Sequence, residues 1–350
     1  MGHRRERVLG LAGVLIGVIL VIAAVLYATT GSHSGTRQGA KANRPPVGST
    51  VTTTPFAANS IWNAPLAADA PLAPNSAVLV KELERQIARY GTWINTDSYS
   101  TPIYTVPTSQ PLVPVTLDVS GYASATKLAN AFRAGIPIPP GARAAPGTDA
   151  DMVVWQPSTD TMWELWNARR VGGTWHARWG GRMANVSDNP GYFTDPPDWG
   201  TTATSLALLG GTIRISDIRA GHIDHALSIS IPEAREGVVA WPAQRTDGKL
   251  AGPDAIPEGT RFRLDPSLNL NKLNLPPLTR MIAEAAQRYG LFVRDQSGAV
   301  AFYGEEVTQP GSNPYTGPGG IFGSLGPGQI TAAFPWTSLE VVNAPVHAYQ

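Results

Sequence analysis

The sequence predicts a mainly β protein: an antiparallel, jelly-roll-like β-sandwich with two peripheral helices, preceded by one transmembrane helix. Three observations support this prediction. The chain of 350 residues contains 36 glycines and 31 prolines, a composition typical of many short strands joined by turns. Beyond residue 50, helical spacing of apolar residues is clear in only two stretches. Near the N-terminus, residues 8–28 form an apolar run without any charge.

The apolar run 8–28 predicts a transmembrane signal anchor. At ~1.5 Å per residue a helix of this length spans the ~30 Å core of a bilayer. Arg4, Arg5 and Arg7 precede it, so residues 1–7 form a cytoplasmic basic tail and the rest of the chain lies outside the cytoplasm. A cleavable signal peptide is the alternative, but Leu26 stands where its cleavage site needs a small residue. We therefore expect a single-pass protein of the cell membrane.

Residues 29–50 are small and polar, with two prolines, and predict a disordered linker. The extracytoplasmic β-rich domain then covers residues 51–350. From residue 56 onward the chain has 21 Lys or Arg and 25 Asp or Glu, a net charge of −4. A nucleic-acid partner is not expected, because it would require a basic surface. The chain has no cysteine, which excludes disulfides and thiol catalysis.

The two helices are predicted at 77–90 and at about 277–289. The first has Val80, Leu83, Ile87 and Tyr90 at helical spacing and ends at Gly91. The second begins at a proline pair and ends at Gly290. Short strands are predicted on either side of a central stretch, at residues 92–94, 102–106, 115–119, 212–216, 225–231, 238–241, 261–264, 291–294 and 299–303.

The central stretch, residues 148–182, holds five of the ten tryptophans and predicts three strands joined by two short turns. If Gln156 pairs with Thr161, then Val153 faces Glu164. This register places Asp151, Trp155, Glu164 and Trp166 on one face of the hairpin, and it makes the other face, which carries Trp163, a core face. The alternation after the turn at Gly172 favours adding His176 and Arg178 to the first face, although a change of one residue in the loop would reverse this strand.

The polar and aromatic face has the side chains that a sugar-binding site uses. Trp155 and Trp166 could pack on sugar rings, with His176 and Arg178 as further substrate-binding residues. Glu164 as proton donor and Asp151 as its ionised partner could cleave a glycosidic bond. The alternative is that the tryptophans belong to the core and the acids are solvated.

His225 is a further catalytic candidate, because it begins an otherwise apolar strand face; the alternative is a hydrogen-bonded histidine at the rim of the core. His222 and His225 would point to opposite faces of a strand, so no metal site is predicted. No cofactor is expected either, since the chain has no phosphate-binding glycine motif after a strand.

An ordered set of short motifs resembles a family of uncharacterised secreted or surface-anchored bacterial proteins. The motifs that carry the resemblance are Ser60-Ile-Trp-Asn63, Pro74-Asn-Ser76, Met162-Trp-Glu-Leu-Trp166, Trp199-Gly-Thr-Thr-Ala203, Gly221-His-Ile-Asp-His-Ala-Leu227, Trp241-Pro-Ala, Gly259-Thr-Arg-Phe-Arg-Leu264 and the Arg288-Tyr-Gly290 segment leading to Asp295. They cover roughly residues 56–305. The resemblance implies an exported domain and no established reaction; where members of that family often have a His, this chain has Asp151.

From the sequence we therefore expect an envelope-anchored protein that recognises or cleaves a cell-envelope polysaccharide, with the membrane as its other partner. A non-catalytic structural or adhesive envelope protein is the alternative. An enzyme should group ionisable residues with shifted pKa values in one cleft. A binding module should show aromatic residues along a groove, and a structural protein a large exposed apolar patch.

Overall fold

The computed structural model describes residues 54–309, 311 and 313–349. The predicted basic tail (1–7), signal anchor (8–28) and linker (29–50) lie outside these residues. Among the residues described, no helix is both long and apolar enough to span a bilayer.

The domain is built mainly of short strands, with five α-helices among the residues described. The helices are α1 (Ser76–Tyr90), α2 (Ala125–Arg133), α3 (Ile215–Ala220), α4 (Pro277–Arg288) and α5 (Pro327–Ala332). The strands are β1 (Thr92–Asn95), β2 (Ile103–Thr105), β3 (Val115–Leu117), β4 (Met152–Gln156), β5 (Thr161–Trp166), β6 (Arg169–Val171), β7 (Thr174–Ala177), β8 (Trp179–Ala184), β9 (Leu227–Ile231), β10 (Ala234–Ala240), β11 (Ile256–Glu258), β12 (Arg261–Leu264), β13 (Leu291–Gln296), β14 (Val300–Tyr303), β15 (Leu339–Val341) and β16 (Val346–Ala348).

The predicted helices at 77–90 and 277–289 correspond to α1 and α4. Both present an apolar stripe to the core, as their sequence spacing predicts; in α1 the buried residues include Leu79, Val80 and Leu83. The strand predicted at 212–216 is wrong. Its second half begins α3, which ends at Gly221 in the left-handed conformation (φ 78°), a C-terminal cap that glycine favours.

The largest sheet has six strands in the order β1-β14-β9-β13-β12-β15. Within it β13 runs parallel to β9, while β14 runs antiparallel to β9 on the other side. A second sheet has the order β2-β4-β5-β8, and β2 runs parallel to β4. The predicted antiparallel, jelly-roll-like sandwich is therefore corrected to several mixed sheets, because strands distant in sequence pair in parallel.

The central stretch forms five strands and not three. The β4–β5 hairpin has the predicted register, with Gln156 opposite Thr161 and Val153 opposite Glu164. The partner of β5 on its other side is β8, in which Gly181 lies opposite Glu164. The turn at Gly172 instead joins β6 to β7, and these two strands form a separate sheet with β3.

Two buried apolar clusters surround these sheets. One packs around the β4–β5–β8 sheet and includes Trp155, Trp163 and Phe132 of α2. The other packs around the six-stranded sheet and includes residues of α1 and α4. The ends of β4, β5 and β13 all contribute to one cavity, which is the candidate site.

Candidate functional site

A cavity of about 390 Å³ lies at the ends of β4, β5 and β13. Four carboxyl side chains line it. Asp149 and Asp151 come directly before β4, Asp295 lies near the end of β13, and Asp247 lies in the loop after β10. The volume falls within the range of roughly 300–1,000 Å³ that is usual for small-ligand sites. Four acids from three separate segments therefore converge on one open space.

Burial changes the acidity of these carboxyls. The pKa of Asp151 is raised well above its ordinary value, first because the carboxyl is removed from solvent and then by repulsion from Asp149. Asp151 is partly buried as a residue, but its Oδ1 is shielded from solvent and has no hydrogen-bond partner among the residues described. Burial also raises the pKa of Asp149, although hydrogen bonds from Trp166 and Thr148 oppose this rise. Burial and repulsion from Asp247 raise the pKa of Asp295 to about 7.

Aromatic rings and guanidinium groups complete the wall of the cavity. Tyr122 is 59% exposed, and its ring lies 4.8 Å from that of Trp179, measured between centroids. The guanidinium of Arg178 lies 5.3 Å from the centroid of the Trp166 ring, which is a cation–π distance. Arg245 also lines the cavity. The site thus combines acids with exposed aromatic surface.

The irregular segment 200–208, which we call the floor loop, contributes Thr201, Thr202 and Ala203 to the cavity. Arg245 donates hydrogen bonds to the carbonyl oxygens of Gly200 (3.0 Å) and Thr202 (2.8 Å). Asp295 accepts a bond from the backbone N–H of Ala203 at 3.2 Å. Charged residues of the site therefore hold the floor loop in place.

Glu164 lies beneath the floor loop and does not line the cavity. It is fully buried; its Oε1 accepts the N–H of Leu208 at 2.5 Å, and its Oε2 accepts the N–H of Thr201 at 3.4 Å. Burial raises its pKa to about 7, although the backbone N–H groups and the Arg294 guanidinium favour the ionised form. The structure thus corrects the predicted position of Glu164: it supports the floor loop, and it does not reach the open space.

Two adjacent glycines of β8 allow this arrangement. A Cβ on Gly181 would lie 2.5 Å from the Phe193 ring and 3.0 Å from the N of Gly200. A Cβ on Gly180 would lie 2.0 Å from the carbonyl oxygen of Glu164. Any larger residue at Gly181 would push away the start of the floor loop, so this glycine is needed for close approach.

Arg294 is a buried cation whose charge acts on several of these acids. It is 2% exposed, donates to the carbonyl oxygen of Leu208 at 3.2 Å, and lies with its guanidinium 3.7 Å from the centroid of the Tyr303 ring. Its positive charge lowers the pKa of Asp151, Glu164 and Asp295, but burial outweighs this effect for each of them. One guanidinium does not neutralise three carboxyls.

The structure brings Asp151, Trp166 and Arg178 together at the cavity, but it does not place Trp155 or His176 there. Trp155 is 6% exposed and belongs to the core, so it has no free ring face for a sugar. His176 lies on β7 in the separate sheet, and its Nδ1 is 2.7 Å from Asp118. Neither side chain lines the cavity: Trp155 is covered by the core, and His176 belongs to another sheet.

His225 does not line the cavity formed by the four acids, which we call the carboxylate cavity. It is 4% exposed; its Nδ1 lies 2.8 Å from the carbonyl oxygen of Ala226, and its Nε2 lies 3.1 Å from Oδ2 of Asp217. Both ring nitrogens thus lie within hydrogen-bond distance of an oxygen of the protein. His225 therefore has the contacts of the alternative, a hydrogen-bonded histidine, and it does not line this cavity.

Sequence reasoning missed Asp149, Asp247, Glu258 and Asp295 as site residues. One oxygen of Asp247, of Glu258 and of Asp295 lies within 4.8 Å of the other two, a group that could hold a cation. The three residues belong to separate segments and form no motif of fixed spacing, so the sequence offered no signal for them. Asp149 is different, because it stands two residues before Asp151 and an extended segment would place both on one side.

Scans against protein-family models, curated proteins and solved structures found no match for this chain.

Proposed function

We propose that the protein binds a polysaccharide in the carboxylate cavity and cleaves it, with Asp151 as the proton donor. The observation that carries this proposal is a shielded carboxyl of raised pKa beside exposed aromatic rings in one open cavity. Such a combination is typical of sites that perform general acid catalysis.

The aromatic rings supply the binding part of the proposal. Aromatic faces pack on the apolar faces of sugar rings, and Tyr122 and Trp166 present partly free surface at the cavity. Arg178 and the Thr201 hydroxyl add polar groups for sugar hydroxyls. These rings take the place of the buried Trp155 in the binding role.

The two carboxyls next to β4 supply the chemistry. Cleavage of a glycosidic bond requires a carboxylic acid that protonates the leaving oxygen and a carboxylate that acts as base or nucleophile. Asp151 holds its proton more strongly, because its carboxyl is removed from solvent and its Oδ1 has no hydrogen-bond donor among the described residues. Trp166 and Thr148 instead stabilise the ionised form of Asp149. The two environments thus separate the acidities of the pair, and we assign Asp151 as acid and Asp149 as its ionised partner.

The test is a screen of the purified full chain against bacterial envelope polysaccharides, with retention on insoluble polymer and release of reducing ends measured separately. Asp151→Asn should keep retention and lower release at least a hundredfold, since a general acid contributes about 10²–10⁴ in rate. Asp224→Asn changes an exposed acid away from the cavity and should behave as wild type. Release at the wild-type rate by Asp151→Asn would refute the assignment.

Retention without any release would instead support a binding module. The structural or adhesive alternative predicts neither retention nor release.

We also propose that residues 8–28 anchor the chain in the cell membrane with the described domain outside, where an envelope polysaccharide is accessible. The support for this location is the charge-free run and the basic residues before it.

A further inference from the structure

Two carboxyl groups at the wall of the cavity and a third, buried one beside them have the spacing of ligands to a single cation. Asp247 lies in the loop after β10, Glu258 ends β11, and Asp295 lies on β13. One oxygen of each lies within 4.8 Å of the other two. Oxygen ligands bind Ca²⁺ at about 2.3–2.6 Å, so two ligands of one ion are at most about 5 Å apart. The three oxygens are therefore close enough to share one ion.

Glu258 provides a second observation that points to a ligand. It is fully buried, and its carboxylate reaches the other two acids. Its Oε2 accepts the backbone N–H of Asp247 at 3.2 Å, but its Oε1 has no hydrogen-bond partner among the residues described. A buried carboxylate oxygen without a donor is costly, and a cation would remove this cost.

No ion pair of the described chain neutralises the group, although the charges of Arg294 and Arg245 act on Asp295 from a greater distance. Within the described part of the chain, no Lys, Arg or His nitrogen lies within 4.0 Å of a carboxylate oxygen of Asp247, Glu258 or Asp295. Three neighbouring carboxyls must then be neutralised by bound protons or by a cation. These two cases can be distinguished by experiment.

We propose that Asp247, Glu258 and Asp295 bind one Ca²⁺ ion at the wall of the cavity. All three ligands are oxygens, which suits a hard cation and not Zn²⁺ or Cu²⁺. Asp247 is exposed, and Asp247 and Asp295 also line the cavity, so water or a ligand hydroxyl can complete the coordination from the open side. The irregular loop that carries Asp247 suits the flexible coordination of Ca²⁺ better than the strict octahedron of Mg²⁺. This inference does not depend on the proposed cleavage.

The test is calorimetric titration of the full chain with CaCl₂ after treatment with EDTA and dialysis. We expect one site per chain, with a dissociation constant on the order of 10⁻⁴ M or below, and a higher melting temperature in CaCl₂. MgCl₂ should bind at least tenfold more weakly. Asp247→Asn should weaken Ca²⁺ binding at least tenfold, and Glu258→Gln should abolish it. Asp254→Asn, which changes an exposed acid four residues before Glu258, should bind as wild type.

Absence of both binding heat and stabilisation in 10 mM CaCl₂ would overturn the proposal and would mean that protons neutralise the group. Unchanged Ca²⁺ affinity in Asp247→Asn would also overturn it. Because Asp247 is exposed, its replacement should leave the fold intact, so this variant decides the question even if Glu258→Gln does not fold.

Discussion

The buried carboxyl of Glu164 should make the domain less stable as the pH rises from mildly acidic to neutral. Burial raises its pKa from the ordinary value of 4.5 to about 7 in the folded protein. The unfolded chain ionises near 4.5, so between these two values the folded state binds a proton that the unfolded state has lost. The stability contribution is therefore fully present below pH 4.5 and is lost as the pH rises through 7.

The magnitude follows from the two pKa values. Each unit corresponds to about 1.4 kcal/mol, so the rise from 4.5 to about 7 corresponds to roughly 3 kcal/mol of unfolding free energy. Glu164→Gln places a neutral side chain of the same length beneath the floor loop and removes this titration. The Gln amide also loses one acceptor for the N–H groups of Leu208 and Thr201, but this cost of about 1–3 kcal/mol does not vary with pH.

The assay is urea unfolding of both proteins at several pH values between 4 and 8. The unfolding free energy of Glu164→Gln minus that of wild type should rise by roughly 3 kcal/mol across this range. Buried acids whose pKa is set by other neighbours, such as Glu305, titrate in both proteins and cancel in the difference. Glu236→Gln, an exposed change on β10, is the control and should give a flat difference. A flat difference for Glu164→Gln as well would show that the pKa of this carboxyl in the folded state is not raised above its value in the unfolded chain.

The remaining predictions concern the core, the floor loop and the location of the chain. Trp155→Ala should destabilise the domain by about 3–5 kcal/mol, and more than Trp166→Ala, because Trp155 is buried and Trp166 is partly exposed; equal melting temperatures would contradict this difference. Gly181→Ala should cost about 1–3 kcal/mol in a thermal melt because its Cβ meets Phe193, whereas Gly298→Ala, where a Cβ meets open space, should cost little. Protease added to intact spheroplasts should digest the 51–350 domain while the mature protein keeps its N-terminus; a soluble product that begins near residue 29 would contradict the anchor.

Local pattern predicted the β4–β5 hairpin correctly, because alternation and a short turn determine the register of neighbouring strands. It did not predict that both faces of the hairpin would be covered. Phe132 of α2 packs near Gly180 on β8, and Phe193 packs against the adjacent Gly181. Neighbouring strand residues point to opposite faces, so these contacts cover both sides of the sheet. The sequence could not show this, because both covering segments are distant from the hairpin along the chain.

The same limit explains which site residues could be predicted. Asp151, Trp166 and Arg178 come from the central stretch, and their grouping follows from strands that are adjacent in sequence. Asp247 and Asp295 join the cavity through β10 and β13, whose positions depend on parallel pairings such as that of β13 with β9. Parallel strands need long connections, and these leave no local spacing to recognise. The grouping of these two acids at the cavity could therefore not be predicted from the sequence.

The role of Glu164 shows how a strong local signal can mark a supporting residue. A carboxylate between two tryptophans in a strand suggested a catalytic group, and the raised pKa of the folded state fits that suggestion. The geometry points elsewhere, because the carboxylate is enclosed by backbone N–H groups of the floor loop, while Asp151 opens onto the cavity. A general acid must reach the atom that receives its proton, and Glu164 cannot do so through a loop that it holds in place. Buried acids of raised pKa in this domain thus occupy two different environments, and contact with the open space is what separates them.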